Sequence, residues 1–303
     1  MNFDAVLIAG PTASGKSALA LALAQKLGGV VINADSMQVY REAPILTAAP
    51  DARARACVPH LLYGHVSALD AYSAGRYGAD AATALAQAQA MGRLPIFAGG
   101  TGLYFTALTD GLSDMPAIPA PVRAAARALA ARIGPEALHA RLAERDPATA
   151  AGLRPTDPQR VTRAWEVLEA TGRPLVEWQR LKGTPVLAGL KPAKFVIDIP
   201  RQSLRARIAR RFVEMVDQGG LEEAVALKDL APELPAARLL GLRPLQALAA
   251  GELSREAALA RAITDTQRFA KRQMTWFRHR MTDYDWIDAN MSNFIAKMSE
   301  VPA

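Results

Sequence analysis

Apolar positions in this chain fall into short unbroken runs near the N-terminus and into helical spacing further on. Ala5-Val6-Leu7-Ile8-Ala9 is an apolar block of strand length, and Ser17 to Leu27 places leucines at 19, 23 and 27, the i, i+4, i+8 spacing of a helix. Residues 30–35, Val-Val-Ile-Asn-Ala-Asp, predict a second buried strand that ends in an acid. Residues 41–75 carry Pro44, Pro50, Pro59 and Gly64 and predict loops over the sheet face. Ser73 to Met91 is an alanine-rich helical stretch closed by Gly92, and Leu94 to Ala98 is a third strand. From about residue 113 the pattern changes. Prolines 116, 119 and 121 mark a linker, and alanine- and arginine-rich helices continue to about 190. One of them opens at Asp157-Pro158, carries Val161, Ala164, Trp165 and Leu168 as its apolar stripe, and stops near Gly172. Lys194 to Ile199 predicts a return strand and Pro200-Arg201 opens a further helix. Two short segments at 232–252 precede a last strong helix at 254–280. Strands alternating with helices predict an α/β fold with a parallel sheet.

The turn between the first strand and the first helix carries the clearest chemistry. Gly10-Pro11-Thr12-Ala13-Ser14-Gly15-Lys16-Ser17 fits G-x-x-x-x-G-K-S/T, the phosphate-binding P-loop. The glycines let backbone N–H groups curl around an anion, and the helix N-terminus adds partial positive charge. Lys16 would reach the outer phosphate oxygens and the Ser17 hydroxyl would sit on a magnesium ion. Such a loop specifies a diphosphate or triphosphate without specifying hydrolysis.

Composition narrows the class. The chain has 303 residues, half of them hydrophobic, enough for one large domain or two modest ones. A formal charge of +7 favours a polyanionic partner, nucleic acid first, although basic enzymes without one are common. Cys57 is the single cysteine, so neither an internal disulfide nor a cysteine-based zinc site can form. The four histidines, 60, 65, 139 and 279, lack metal-ligand spacing. With no leader pattern and no apolar stretch of spanning length, a cytoplasmic protein is expected.

Further candidates flank the P-loop. Asp35, at the carboxyl end of the second strand, falls beside the P-loop if the two strands are neighbours. There it would hold magnesium, act as a base or cap the next helix. Gly99-Gly100-Thr101-Gly102-Leu103-Tyr104 is a second glycine-rich strand-to-helix turn, whose glycines allow close approach to a ligand and whose Thr101 offers a hydroxyl. The third strand ends in Gly-Gly and not in the magnesium-holding aspartate of phosphoryl-transfer P-loop enzymes, which weakens ATPase and kinase readings. Arg160 and Arg163 share a helix face near an N-terminus, suited to phosphate or equally to solvent. Arg207 and Arg211, at i, i+4, project together. From Arg255 to Arg280 seven basic residues stand against two acids, with Phe269, Trp276 and Phe277 interleaved, a pattern that fits nucleic-acid backbone tracking or a solvated face over core aromatics.

Five ordered stretches resemble the tRNA dimethylallyltransferases, also called tRNA isopentenyltransferases, over almost the whole chain. They are the P-loop at 10–17, Asp35-Ser36-Met37-Gln38-Val39-Tyr40, the glycine-rich turn at 99–104, Gln159-Arg160, and Ala270-Lys271-Arg272-Gln273-Met274-Thr275-Trp276-Phe277. Departures are small: Gly241-Leu242 where the family often has Gly-Tyr, and Phe269 where it often has Tyr. The zinc-finger tail of eukaryotic members is absent, so the resemblance is to the bacterial type.

The resemblance implies a P-loop NTPase-like core at 1–115 and 190–303 and a mostly helical insertion at 116–189 that contacts tRNA. It implies transfer of a dimethylallyl group from dimethylallyl diphosphate to N6 of the adenine 3′ of the anticodon, with magnesium, by a cytoplasmic monomer. The P-loop, residues Gly10 to Ser17, would hold the diphosphate with Arg207 and Arg211, and Lys16, Asp35 and Thr101 would serve catalysis. The tRNA would meet Asp35, Ser36, Met37, Gln38 and Thr101 at the pocket entry, with the Gln38 amide on a base edge. Arg123, Gln159, Arg160, Val161, Thr162 and Arg163 would contact it from the insertion, and Lys271 and Arg272 from the last helix. Three rivals share parts of this pattern: an adenylate isopentenyltransferase acting on free nucleotide, a P-loop small-molecule kinase, and an RNA-binding protein regulated through its P-loop.

Overall fold

A computed structural model describes residues 3–288, so residues 289–303 of the expected core segment lie outside the described residues. The chain forms two compact units, one of residues 1–109 and 186–303, the other Asp110–Pro185.

The first unit is built on a six-stranded sheet in which every neighbouring pair is parallel. The strands are β1 (Ala5–Ala9), β2 (Gly29–Asn33), β3 (His60–Leu61), β4 (Leu94–Gly99), β5 (Pro192–Asp198) and β6 (Asp285–Asp288), in the spatial order β3-β2-β4-β1-β5-β6. β1 and β2 are buried along their whole length, as continuous apolar strands of a sheet covered on both faces should be. The helix Lys16–Leu27 seals one face, with Leu19, Ala20, Leu23 and Ala24 packed on Val6, Ile8, Val31 and Ile96. This is the expected α/β architecture with a parallel sheet.

Three local expectations change. β1 and β2 are not neighbours, because β4 lies between them. Residues 41–75 are not all loop: Pro44–Thr47 and Ala52–Cys57 are short helices, and His60–Leu61 adds an edge strand to β2. Each is too short to build a periodic pattern, which is why proline and glycine dominated the expectation. β6, paired with β5, was not foreseen; Asp285 and Asp288 give it no apolar run.

The remaining helices follow the apolar spacing closely. Ala74–Ala90 is capped by the Ser73 hydroxyl, which accepts from Arg76 N, and Arg255–Arg280 by Ser254 in the same way. Arg201–Met215 runs into a wide turn at Val216–Gly220, where Gly219 takes φ 109°.

The second unit is helical. Ala120–Ile133, Pro135–Arg145, Pro158–Thr171 and Leu175–Arg180 enclose a core of Leu138, Leu142, Val161, Ala164, Trp165 and Leu168. Asp157 caps its helix by accepting from Arg160 N, and Gly172 closes it in the left-handed conformation. No helix among the described residues is long and apolar enough to cross a membrane.

Candidate active site in the first unit

A cavity of about 740 Å³ opens at the carboxyl ends of the strands. Its floor is the P-loop, with Thr12, Ala13, Gly15, Lys16 and Ser17 in the wall. Gly15 takes φ 98° and serves as an N-cap without a side chain, and the first helical turn holds no acid. The leading N–H groups of that helix are thus left to an anion. Ala13 also has positive φ, 63°, backbone strain concentrated at the loop. Ser17 is exposed at the start of the helix.

Asp35 reaches this floor although its strand is not next to β1. The segment after β2 leans across the end of β4, and glycines make the crossing possible. A Cβ on Gly99 would lie 1.9 Å from Ala34 O, and one on Gly100 would lie 2.2 Å from Gln273 Nε2 and 3.1 Å from Asp35 Oδ2. A Cβ on Gly102 would meet the Trp276 ring at 2.3 Å. The glycines expected to admit a ligand therefore admit the protein's own backbone and side chains.

Buried polar groups then lock the crossing. Asn33, wholly enclosed, accepts from Asp35 N at 2.8 Å and donates to Asp35 O at 2.9 Å and Leu62 O at 3.0 Å. Thr101 Oγ1 accepts from Ser36 N at 2.8 Å and donates to Ser36 Oγ at 3.1 Å. Thr101 thus holds the Asp35 segment and is not among the residues lining the cavity.

The Asp35 carboxylate divides its two oxygens. Oδ1 accepts from Met37 N at 3.0 Å, closing a local turn, while Oδ2 stands 3.9 Å from Lys16 Nζ. The expected helix cap is a correction: the next helix, Pro44–Thr47, starts at Ala43, and Asp35 closes only this turn while its second oxygen faces the cavity. Gln38 does not offer its amide N–H groups to a base, because both are taken by backbone carbonyls, Thr47 O at 3.0 Å and Ala48 O at 2.7 Å. Facing two carbonyls, that end of the side chain must be the nitrogen.

Arginines close over the P-loop from Arg201–Met215. Arg207 donates to Ser14 O at 3.1 Å, and Arg211 reaches Thr12 Oγ1 at 3.4 Å and Thr47 O at 3.5 Å. Burial pushes the Lys16 amine below its ordinary pKa; Arg211 adds to that shift and Asp35 opposes it. Burial also lowers Arg211, again against Asp35. The cavity floor is a cluster of desolvated cations with one carboxylate beside it, an arrangement that a polyanionic ligand relieves. Among the described residues no group of three or more His, Cys, Asp or Glu could hold a metal. Ser17 and Asp35 in the cavity wall offer a hydroxyl and a carboxylate, oxygen donors of the kind a hard divalent cation takes.

Two structural residues were given no role by the sequence reading, although Gln273 stands in its last quoted stretch. Gln273 Oε1 accepts from Thr12 N at 3.0 Å and its Nε2 donates to Gly100 O at 2.8 Å, joining the two glycine-rich turns. Its signal was a polar residue inside the buried stripe Thr266, Ala270, Met274, Phe277. Glu223 accepts from Ile45 N and Leu46 N, each at 2.8 Å, and so holds the cavity wall at Pro44–Thr47. Nothing in its local sequence marks it.

Of the expected RNA contacts, Lys271 and Arg272 are exposed on the C-terminal helix. In the second unit Gln159 and Arg160 are exposed, and Arg123, Thr162 and Arg163 are half-buried. Val161 is a correction: at 0% exposure it is part of the helical core, and its side chain cannot touch a partner.

A family profile described as IPP transferase matches residues 38–280, and one described as isopentenyl transferase matches 3–54. The chain is 54% identical over 284 residues to the tRNA dimethylallyltransferase of Azorhizobium caulinodans, covering 92% of this chain and 90% of that one. It is also 54% identical over 285 residues to the Nitrobacter hamburgensis protein of the same name, covering 93% and 90%. Among solved structures, the tRNA isopentenylpyrophosphate transferase of Bacillus halodurans aligns with a TM-score of 0.67 at 31% identity over 98% of this chain and 94% of that one. A eukaryotic dimethylallyltransferase acting on tRNA aligns at 0.77 and 26% identity, over 96% and 75%.

Proposed function

The chain belongs to the tRNA dimethylallyltransferase family, prenyltransferases that act on tRNA, and from that membership we propose how its residues carry out the transfer. The donor is dimethylallyl diphosphate and the acceptor is N6 of the adenine 3′ of the anticodon. The observation that carries this is the Lys16–Asp35 pair, a cation and a carboxylate 3.9 Å apart on one cavity floor. The cation suits a leaving diphosphate and the carboxylate suits a proton.

The P-loop N–H groups, Lys16, Arg207 and Arg211 hold the diphosphate and stabilise the charge that builds on it as the allylic carbon–oxygen bond breaks. The electron pair of that bond leaves with the diphosphate. Ser17, with Asp35 in the same cavity wall, would hold a magnesium ion, which would supply further positive charge to the diphosphate. The N6 lone pair is delocalised into the ring, so the amine attacks well only as it loses a proton. Asp35 Oδ2 accepts that proton while the new carbon–nitrogen bond forms. The adenine leaves its stack to enter the cavity, with Met37 in the wall it passes. A cytoplasmic site of action is part of this reading, supported by the tRNA acceptor. A monomer is the working unit in this reading, since the residues used here all lie in one chain.

Radiolabelled dimethylallyl diphosphate, magnesium and tRNA lacking the modification, with AMP and ATP as competing acceptors, test the assignment. Label on N6 of an anticodon-loop adenine is the expected result. Label on free nucleotide alone would reassign the acceptor, and ATP hydrolysis without label would reject the donor.

A further inference from the structure

The second unit holds a buried carboxylate that the transfer chemistry does not use. Glu166, on the helix Pro158–Thr171, is 6% exposed. Its Oε1 lies 3.6 Å from Arg127 Nε and its Oε2 lies 3.4 Å from Arg163 Nη1. A carboxylate taken out of water needs such partners. The two guanidinium groups sit at the rim, with 47% and 41% of their side chains exposed. Arg163 is steadied further by an Nη2 contact of 3.2 Å to the Met115 sulfur. Arg127 comes from a different helix, Ala120–Ile133, one turn after Arg123, whose Nη2 donates to Ile118 O at 3.4 Å.

One negative charge below and two positive charges above leave a net cation facing outward. Arg127 spends only its Nε on Glu166, so both terminal nitrogens remain as a fork for an oxyanion. Ordinary surface arginines lose rotamer freedom when they bind; these are ordered beforehand by a shared buried anchor.

We infer that Arg127 is a phosphate-contacting residue of the RNA surface beside Arg163, and that Glu166 is the positioning residue that sets the pair. The ligand is a backbone phosphate of the acceptor, and the inference rests on that acceptor being tRNA. A backbone phosphate fits the open fork of Arg127, with the charge of Arg163 fixed beside it on a packed helix.

The test is binding of fluorescently labelled tRNA to the full chain by anisotropy across a salt series. Arg127→Gln should weaken binding several-fold and lower the slope of log K against log salt by about 1. The KM increase should be confined to tRNA and spare the prenyl donor. Glu166→Gln distinguishes positioning from bulk charge: removing a negative charge should tighten RNA binding if charge alone counts, and should weaken it if the carboxylate sets the arginines. An unchanged affinity and slope for Arg127→Gln, or tighter binding by Glu166→Gln, would overturn the inference while the tRNA assignment stands. Wild-type protein that fails to bind tRNA would overturn both. Arg127 is half exposed, so its variant tests the proposal even if Glu166→Gln folds poorly.

Discussion

Gln273 accepts a hydrogen bond from the backbone N–H of Thr12 at 3.0 Å, across 261 residues of sequence. The same side chain donates to Gly100 O, so the C-terminal helix holds the P-loop and the second glycine-rich turn in register. Gln273→Ala leaves a part-buried N–H and a buried C=O without partners, at a cost of about 1–3 kcal/mol. Urea denaturation should show that loss, with a raised KM for the prenyl donor. Unchanged KM and stability would mean the bridge is idle.

Asp35→Asn keeps an oxygen for Met37 N and removes the charge beside Lys16. Transfer should fall by about 10²–10⁴, the usual worth of a general base, while tRNA binding persists in a filter-binding assay. Undiminished transfer would remove Asp35 from proton abstraction.

Two glycines should respond in opposite directions. Gly100→Ala drives a Cβ to 2.2 Å from Gln273 Nε2 and 3.2 Å from Gly10 O, so both stability and transfer should drop. Gly78, inside the helix Ala74–Ala90, has open space around its Cβ position. Gly78→Ala should stabilise by about 0.5–1 kcal/mol through helix propensity. Thermal melts of the two variants decide the comparison.

Glu223 reaches Ile45 N and Leu46 N from a helix 178 and 177 residues away. The turn it holds ends in Thr47 O, which receives Arg211 and Gln38. Glu223→Ala should loosen that wall and raise the donor KM several-fold with a smaller change in kcat. A change in kcat alone would place its influence elsewhere.

Lys16 provides a pH signature. Its amine has a lower pKa folded than the ordinary 10.5, chiefly through burial. Between the two values the unfolded chain keeps a proton that the folded chain has released. Stability of the empty enzyme therefore rises with pH in the window that ends near 10.5. Lys16→Met should lose this rise, and denaturation midpoints of both proteins across that range measure it. Parallel profiles would mean the amine is not desolvated.

The P-loop, its strand and its helix were legible because their chemistry is local: glycines at fixed offsets and a leucine period write themselves into consecutive residues. The helix Pro158–Thr171 was legible for the same reason, down to Asp157 as its cap and Gly172 as its stop. Val161 shows the limit of carrying a motif over as a block. It stands among residues expected to meet RNA, yet the helical period turns it into the core.

What the sequence determined by itself was the fold class and the family. Tertiary structure alone decided the arrangement of the site residues. β4 separates β1 from β2, and Asp35 still reaches Lys16 because Gly99 and Gly100 leave room for the chain to cross. Gln273 and Glu223 act through hydrogen bonds to segments far away in the chain, and such contacts leave no local pattern. Periodicity records which face a residue turns to the core; only packing records what it meets there.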